Sequence, residues 1–400
     1  MNPPRRALYI RQAPYPWDVR AEKICKALAA NGWQVEILAR RGRGQPEHAD
    51  CSGLRVHRAG PGTPRFVSLP VPANPVWRHA LARRIRAFRP DLLIARDIPV
   101  APFARAAARS FGIPWVIDMA EHYPAAMRSW KKYNDNWLLK TAVGALRLPD
   151  RIERRAVLAA DGIMPVCEEQ KARLVRDYGV PPERVVNVMN TPPRDAFADV
   201  APAARQGSTR HFGYHGFVGR DRDLATLIRG FDLAVSRGLP VSLDIAGGGE
   251  ALDELKALAA TLAARDRITF HGAFASDDTR RLYAAVDFGI VPCQVNAFTQ
   301  CTIANKFFDY AACGRPFIFT ATDPTTRLME TMRCGVPYAG GNPDAVAAAI
   351  ARIIEADYAT LAQNGRDAIR DTFNWEQDTA RMLAFLEQIL DARGSRMPGR

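Results

Sequence analysis

The sequence predicts an α/β protein made of two consecutive Rossmann-like domains followed by a helical tail. Three observations lead there. Short β-branched runs alternate with helical patterns as far as residue 189, the alternation begins again at 211, and a Pro-, Ala- and Ser-rich stretch divides the two series. Strands joined by helices in this manner form parallel sheets with right-handed crossovers. At 400 residues the chain also exceeds the size at which a single core usually keeps growing.

In the first series the expected strands are 7–13, 33–40, 91–97, 114–120, 161–167 and 183–189, with helical patterns between most of them. "NTPPRDAFADVAPAARQGSTR" (190–210) interrupts the pattern and reads as a linker. The second series offers strands at 211–216, 241–247, 267–274, 288–294 and 316–321. Helices fill its gaps at 222–237, 250–264, 276–286, 302–313 and 324–333, and further helical patterns follow at 343–355, 358–371 and from "FNWEQDTARMLAFLEQIL" onward. The expected division is a first domain at 1–190, a linker at 191–210, a second domain at 211–374 and a final helix within 375–400.

A composition of 48% hydrophobic and 24% charged residues is that of a soluble globular chain. No run approaches the ~18–20 apolar residues of a membrane span, and the N-terminus lacks a secretory signal's apolar core, so a cytoplasmic protein is expected. The seven cysteines are scattered and never spaced C-x-x-C, which argues for reduced thiols and against a disulfide framework or zinc site. The net charge of +13 is lopsided: residues 1–132 hold 23 Lys and Arg against 9 Asp and Glu, and the remaining residues hold 32 against 33. Such a field suits a phosphorylated acceptor or an acidic lipid surface; an Arg-rich background composition is the alternative. Aromatic-interleaved nucleic-acid motifs are absent, so no nucleic-acid partner is expected.

Open α/β sheets bind ligands beyond the carboxyl ends of their strands, so the loops after strands carry the candidates. After strand 211–216 comes "GFVGRDRD", in which Gly216 and Gly219 permit close backbone approach while Arg220 and Arg222 can neutralise phosphate. After 241–247 comes "GGGE", with Gly247 and Gly248 turning into a helix. Neither loop matches the G-x-G-x-x-G of a dinucleotide site. The stretch "TQCTIANKFFDYAACGRPFIFT" (299–320) is better placed. Thr302 can cap a helix from about Ile303 to Cys313, with Lys306 and Asp309 away from its buried face. The helix N-terminus and Lys306 can hold a diphosphate, and Asp309 a ribose diol; an ordinary exposed i,i+3 ion pair is the competing reading. No metal site is expected.

In the first domain "DMAEHYPAAMRSWKK" follows a strand. Glu121 and His122 are candidates for orienting or deprotonating an acceptor hydroxyl, and a structural hydrogen bond is the alternative for His122. The helix "PVWRHALARRIRAFRP" (75–90) places Trp77, Leu81, Ile85 and Phe88 on one stripe and arginines largely off it. It reads either as a core helix with a solvated basic face or, beside the apolar loop "RFVSLPVPANP", as a dock for acidic headgroups.

"NKFFDYAACGRPFI" resembles the sugar-nucleotide motif of family-4 glycosyltransferases of the GT-B fold, many of which carry P-x-K-x-x-E-Y-x-x-x-G-x-P-V-I. Lys306, Asp309, Tyr310, Gly314, Pro316 and Ile318 match in register. "DVRAEKICKALAANGWQVEILAR", "VIDMAEHYP", "VVNVMN", "LDIAGGGE", "ITFHGAF" and "FNWEQDTARMLAFL" resemble the family in the expected order, so the likeness spans nearly the whole chain. The resemblance implies transfer of a hexose-type sugar, with retention and without a metal, from a nucleoside diphosphate sugar of uridine or guanosine type to a carbohydrate or lipid-linked acceptor. It also implies two domains facing a cleft, a final helix from about Trp375 crossing back to the first domain, and work on polysaccharides or glycoconjugates, in the cytoplasm or peripherally at the inner face of the cytoplasmic membrane.

On that reading Arg220, Arg222 and Lys306 stabilise the leaving diphosphate and Asp309 holds the ribose. The family's paired acidic motif has Glu at both ends, where this chain has Cys301 and Asp309. Backbone N–H groups around Gln300 to Thr302 are then expected to contact the sugar, with Cys301, Thr302 and Ile303 in the donor site. A sugar-nucleotide 2-epimerase and a noncatalytic sugar-nucleotide-binding protein are the rival readings.

Overall fold

The computed structural model describes residues 3–16, 18–63, 67, 74–130, 133, 135–200, 207–275 and 278–394. Most of the loop 65–75, together with Lys131 and Lys132, lies outside the described residues. The chain divides into two compact units, residues 1–189 with 378–400, and residues 190–377.

The first unit is built on β1 (Arg6–Arg11), β2 (Gln34–Arg40), β3 (His48–Cys51), β4 (Leu54–Ala59), β5 (Leu92–Arg96), β6 (Trp115–Met119) and β7 (Gly162–Pro165). Their order is β3-β4-β2-β1-β5-β6-β7, and only the β3–β4 pair is antiparallel. Residues of β1, β5, β6 and β7 are buried almost throughout, as a parallel sheet covered on both faces requires. The order reverses between β1 and β5, where a doubly wound sheet leaves a crevice beyond its carboxyl ends.

Two departures from the expected elements have local causes. The β3–β4 hairpin was not anticipated; Ser52 and Gly53, both at positive φ (54° and 79°), make its two-residue turn. Residues 183–189 do not form the expected strand. A 3-10 turn at Pro182–Arg184 leads into a ragged edge that meets β7 through a single bridge, Ile163 to Val185, and through hydrogen bonds from Val186 N to Ile163 O (3.0 Å) and Val188 N to Pro165 O (2.9 Å).

In the helix Pro75–Phe88, Trp77, Leu81, Ile85 and Phe88 are all buried in the first core, while Arg78, Arg83 and Arg86 face solvent. Its apolar stripe is thus spent on the fold. The helix Trp375–Gly394 seats Phe385 against β7, where a Cβ on Gly162 would come within 2.5 Å of the ring. No helix of the described residues is long and apolar enough to cross a membrane.

The second unit holds β8 (Arg210–His215), β9 (Val241–Ala246), β10 (Ile268–Gly272), β11 (Phe288–Val291), β12 (Phe317–Thr320) and β13 (Gly335–Tyr338). All are parallel, in the order β10-β9-β8-β11-β12-β13, so the reversal falls between β8 and β11. The short edge strand β13 was not anticipated; it carries Pro337, which an edge tolerates.

Candidate active site

In the second unit the candidate residues gather at the reversal point. β8 ends at His215 and passes into Gly216 at φ +139°; β9 ends at Ala246 and passes into Gly247 at φ +152°. The two loops lie backbone to backbone. Gly216 N donates to Ala246 O (2.9 Å), Val218 N to Gly248 O (3.0 Å) and Gly247 N to Gly272 O (2.7 Å). A Cβ on Gly247 would stand 1.7 Å from Gly216 O, and one on Gly249 2.3 Å from Val218 O. At Gly248 the nearest atom would be Ala273 Cβ at 3.5 Å, so that position leaves room beside the backbone.

The helix Asn305–Ala312 enters this region from the loop after β11. It begins two residues later than expected, and Thr302 does not cap it. Thr299–Cys301 is consumed in a 3-10 turn, Thr302 is extended, and Ala304 stands at the cap position with no side-chain hydrogen bond. Gln300 N donates to Asn296 O and Cys301 N to Phe298 O, both at 3.0 Å. Two of the N–H groups expected to meet the sugar, those of Gln300 and Cys301, are therefore used within the turn. Cys301 and Ile303 are themselves buried, whereas Thr302 is half-buried.

Lys306 Nζ lies 3.7 Å from the centroid of the Tyr214 ring, and a Cβ on Gly216 would be 3.0 Å from it. Burial, and then the positive charge of Arg222, hold the Lys306 ammonium well below its usual pKa, opposed by Asp309 and Asp221. The structure thus brings Lys306, Arg222 and the Gly216 loop together. It does not bring Arg220 with them: that guanidinium is exposed and paired with Glu254 at 3.1 Å. Gly219 begins the Arg220–Arg222 turn. Gln294 ties this turn to the loop after β11, its N donating to Asp221 O (3.1 Å) and its Nε2 to Arg220 O (2.9 Å).

Asp309, one turn into the helix, accepts a hydrogen bond from Tyr283 Oη at 3.1 Å. Tyr310 points inward, donating to Gly213 O (2.6 Å) and lying 3.1 Å from His215 Nδ1. A phenol has one proton to give, so Nδ1–H of His215 donates to Tyr310 and Nε2 is left as an acceptor. Burial, with the charge of Lys306 adding to it, pushes the His215 pKa down to about 3, and the ring is neutral at ordinary pH.

In the first unit Glu121 and His122 follow β6 at its carboxyl end, both half-buried, and His122 O accepts from Ala126 N (2.9 Å) to open the helix Tyr123–Ser129. Asp118 is a cross-link of the fold: wholly buried, it accepts from Tyr9 Oη (2.5 Å) and Arg20 Nε (2.6 Å).

The sequence reading missed Asp97. It sits just past β5, 4% exposed, at φ 62° and ψ 178°, a backbone region that non-glycine residues rarely occupy. Its N–H donates to Asp118 O (2.9 Å), its carboxylate accepts from Ala120 N (2.8 Å) and pairs with Arg96 Nη1 (2.9 Å). Burial, opposed by Arg96 and helped by Glu121 and Asp118, pushes this carboxyl up to about 7. The folded chain therefore keeps a proton that the unfolded chain releases near its ordinary value. This contribution to stability is present in full at acid pH and is lost as pH rises through the raised pKa. Asp97→Asn is expected to flatten that part of the stability–pH curve relative to the native chain, as measured by urea unfolding at several pH values.

Among the described residues no group of three or more His, Cys, Asp or Glu is placed to hold a metal ion. Residues 18–191 match the model of the glycosyl transferase 4-like domain, and residues 209–356 match that of the glycosyl transferases group 1. Together the two matches take in most of the chain. It belongs to the group 1 glycosyltransferases. This glycosyltransferase is 29% identical over 424 aligned residues to a D-inositol 3-phosphate glycosyltransferase of Xylanimonas cellulosilytica, covering 95% of this chain and 93% of that one. It is 23% identical to mannosylfructose-phosphate synthase of Agrobacterium fabrum over 91% of its own length and 84% of the relative's. Among solved structures it shares its fold with sucrose-phosphate synthase from Thermosynechococcus elongatus (TM-score 0.73, 20% identity, 97% of this chain and 100% of that one). It shares it also with Anabaena Alr3699/HepE in complex with UDP (TM-score 0.70, 15% identity, 96% and 100%). The fold is accordingly GT-B, with two Rossmann-like halves, and the chain is a transferase.

Proposed function

We propose that the second unit holds a nucleoside diphosphate sugar and that the chain transfers its sugar, with retention, to a carbohydrate or lipid-linked acceptor. The observation that carries this reading is the convergence of Lys306, Arg222 and an uncapped helix N-terminus on the Gly216 loop, at the point where the strand order reverses. Lys306 and Arg222 neutralise the diphosphate as the sugar–oxygen bond breaks, when its charge rises. Asp309 accepts from the ribose hydroxyls, steadied by Tyr283. Gly248 leaves backbone accessible to the ligand. Arg220 holds the loop through Glu254.

On the acceptor side, Asp97 and Glu121 are the carboxylates at the strand ends, with His122 beside them. A carboxyl with a pKa near 7 suits a group that accepts a hydroxyl proton at neutral pH. The names of two relatives, mannosylfructose-phosphate synthase and D-inositol 3-phosphate glycosyltransferase, join the basic excess of residues 1–132 in favouring an acceptor that carries phosphate.

The test is incubation of the purified chain with a panel of nucleotide sugars, with and without phosphorylated and lipid-linked acceptors. Release of nucleoside diphosphate that depends on acceptor supports transfer; donor conversion without acceptor contradicts it. Asp309→Ala is expected to weaken nucleoside diphosphate binding by about 10- to 100-fold, the loss of hydrogen bonds to a charged group. Calorimetry measures it, and unchanged affinity removes Asp309 from the donor site.

A further inference from the structure

Beyond the transfer reaction, the first unit turns an apolar surface to solvent at residues 137–148. Trp137 is 73% exposed, Leu138 57%, Leu139 42%, Leu146 49% and Leu148 41%. The helix Trp137–Lys140 and the π-helical turn Thr141–Ala145 carry most of this segment, with Val143 buried beneath them as the anchor. Apolar side chains clustered this densely on a surface mark a place of interaction.

The charges around it select the partner. Arg151 and Arg154 are spaced to share one side of the helix Leu148–Ala159, Arg147 stands just before its start, and the three line a hollow of about 300 Å³ together with Leu146, Asp150 and Tyr178. Lys140 is exposed within the apolar segment itself. Of the nearby carboxylates, Asp150 is already held by Arg128 and Arg147. Trp and Leu beside a cationic hollow fit a surface that is apolar inside and anionic outside. A two-fold contact between copies of this chain fits poorly, because it would bring like-charged arginine clusters together.

We propose that residues 137–148 dock the chain on an anionic lipid bilayer, with Trp137 and the leucines entering the interfacial layer and Arg151 and Arg154 receiving lipid phosphate. The basic helix Pro75–Phe88 cannot supply the apolar half of such a dock, since its stripe lies in the core.

The experiment is flotation of the full chain with phosphatidylcholine vesicles, with and without phosphatidylglycerol. The native chain is expected to float with the anionic vesicles and much less with the neutral ones. The triple variant Trp137→Ser, Leu138→Ser, Leu139→Ser should lose at least about tenfold in vesicle affinity. The double variant Arg151→Glu, Arg154→Glu should lose it for anionic vesicles. Acyl chains brominated near the headgroup should quench tryptophan emission in the native chain, and Trp137→Phe should remove the quenched part while the chain still floats. Three results would each overturn the proposal: a native chain that stays in solution, a triple variant that floats as well as the native chain, or a native dimer in light scattering that the triple variant dissolves. Vesicle binding requires neither donor nor acceptor, so its failure leaves the sugar-transfer reading standing.

Discussion

Lys306→Met is expected to lower kcat for sugar transfer by about 10²–10³-fold with a much smaller change in KM. The methionine keeps the aliphatic stem beside Tyr214 and removes only the charge, so the fold should persist. The size of the effect follows from where the charge sits. A half-buried ammonium over an aromatic ring and a glycine loop is already desolvated, and it acts on a departing diphosphate with little reorganisation. The same burial fixes a pH signature. With its pKa held well below the usual value, Lys306 in the free enzyme loses its charge as pH rises through that depressed value, and kcat/KM should fall with it. A bound diphosphate favours the charged form and moves the pKa back up. Binding above the depressed pKa should therefore take up a proton in the native chain and not in Lys306→Met, which calorimetry in buffers of different ionisation enthalpy will read.

Gly247→Ala should destabilise the second unit by about 2–4 kcal/mol. The position sits at φ +152°, and the added Cβ would fall 1.7 Å from Gly216 O, a backbone atom that cannot rotate away. Relief requires the loops after β8 and β9 to separate, which strains the hydrogen bond from Gly216 N to Ala246 O and the bond from Gly247 N to Gly272 O. Gly248→Ala is the matched control: its Cβ has ordinary van der Waals contact at 3.5 Å, and its unfolding curve in urea should lie within about 0.5 kcal/mol of the native one. Equal effects at the two positions would show that the loops are not interlocked.

These residues differ in how far they could be read beforehand. The helix that carries Lys306 and Asp309 was legible in the local pattern, between one buried strand and a Gly-Arg-Pro stop before the next; their role was not, because an ordinary ion pair fitted that pattern equally well and only the likeness to the sugar-nucleotide motif chose between the two. The start of that helix was not, because the turn at Thr299–Cys301 is fixed by Asn296 and Thr299: the amide oxygen of Asn296 accepts from Phe298 N (2.9 Å) and Thr299 N (3.1 Å). Arg220 looked like a phosphate ligand until Glu254, 34 residues away, took its guanidinium. Asp97 carried no local signal. Its strained backbone is held by Asp118 O and its carboxylate by Ala120 N, partners that only the pairing of β5 with β6 supplies. The run at 137–148 drew no reading from its sequence; only the exposure of its apolar side chains in the fold marks it out.

Diffraction from crystals soaked with a nucleoside diphosphate tests the central claim most directly. The account predicts the diphosphate within hydrogen-bond reach of Lys306 Nζ and the N-terminus of the helix Asn305–Ala312, with the ribose on Asp309. A nucleotide bound away from Lys306 and Asp309, with both side chains placed as they are now, would contradict it.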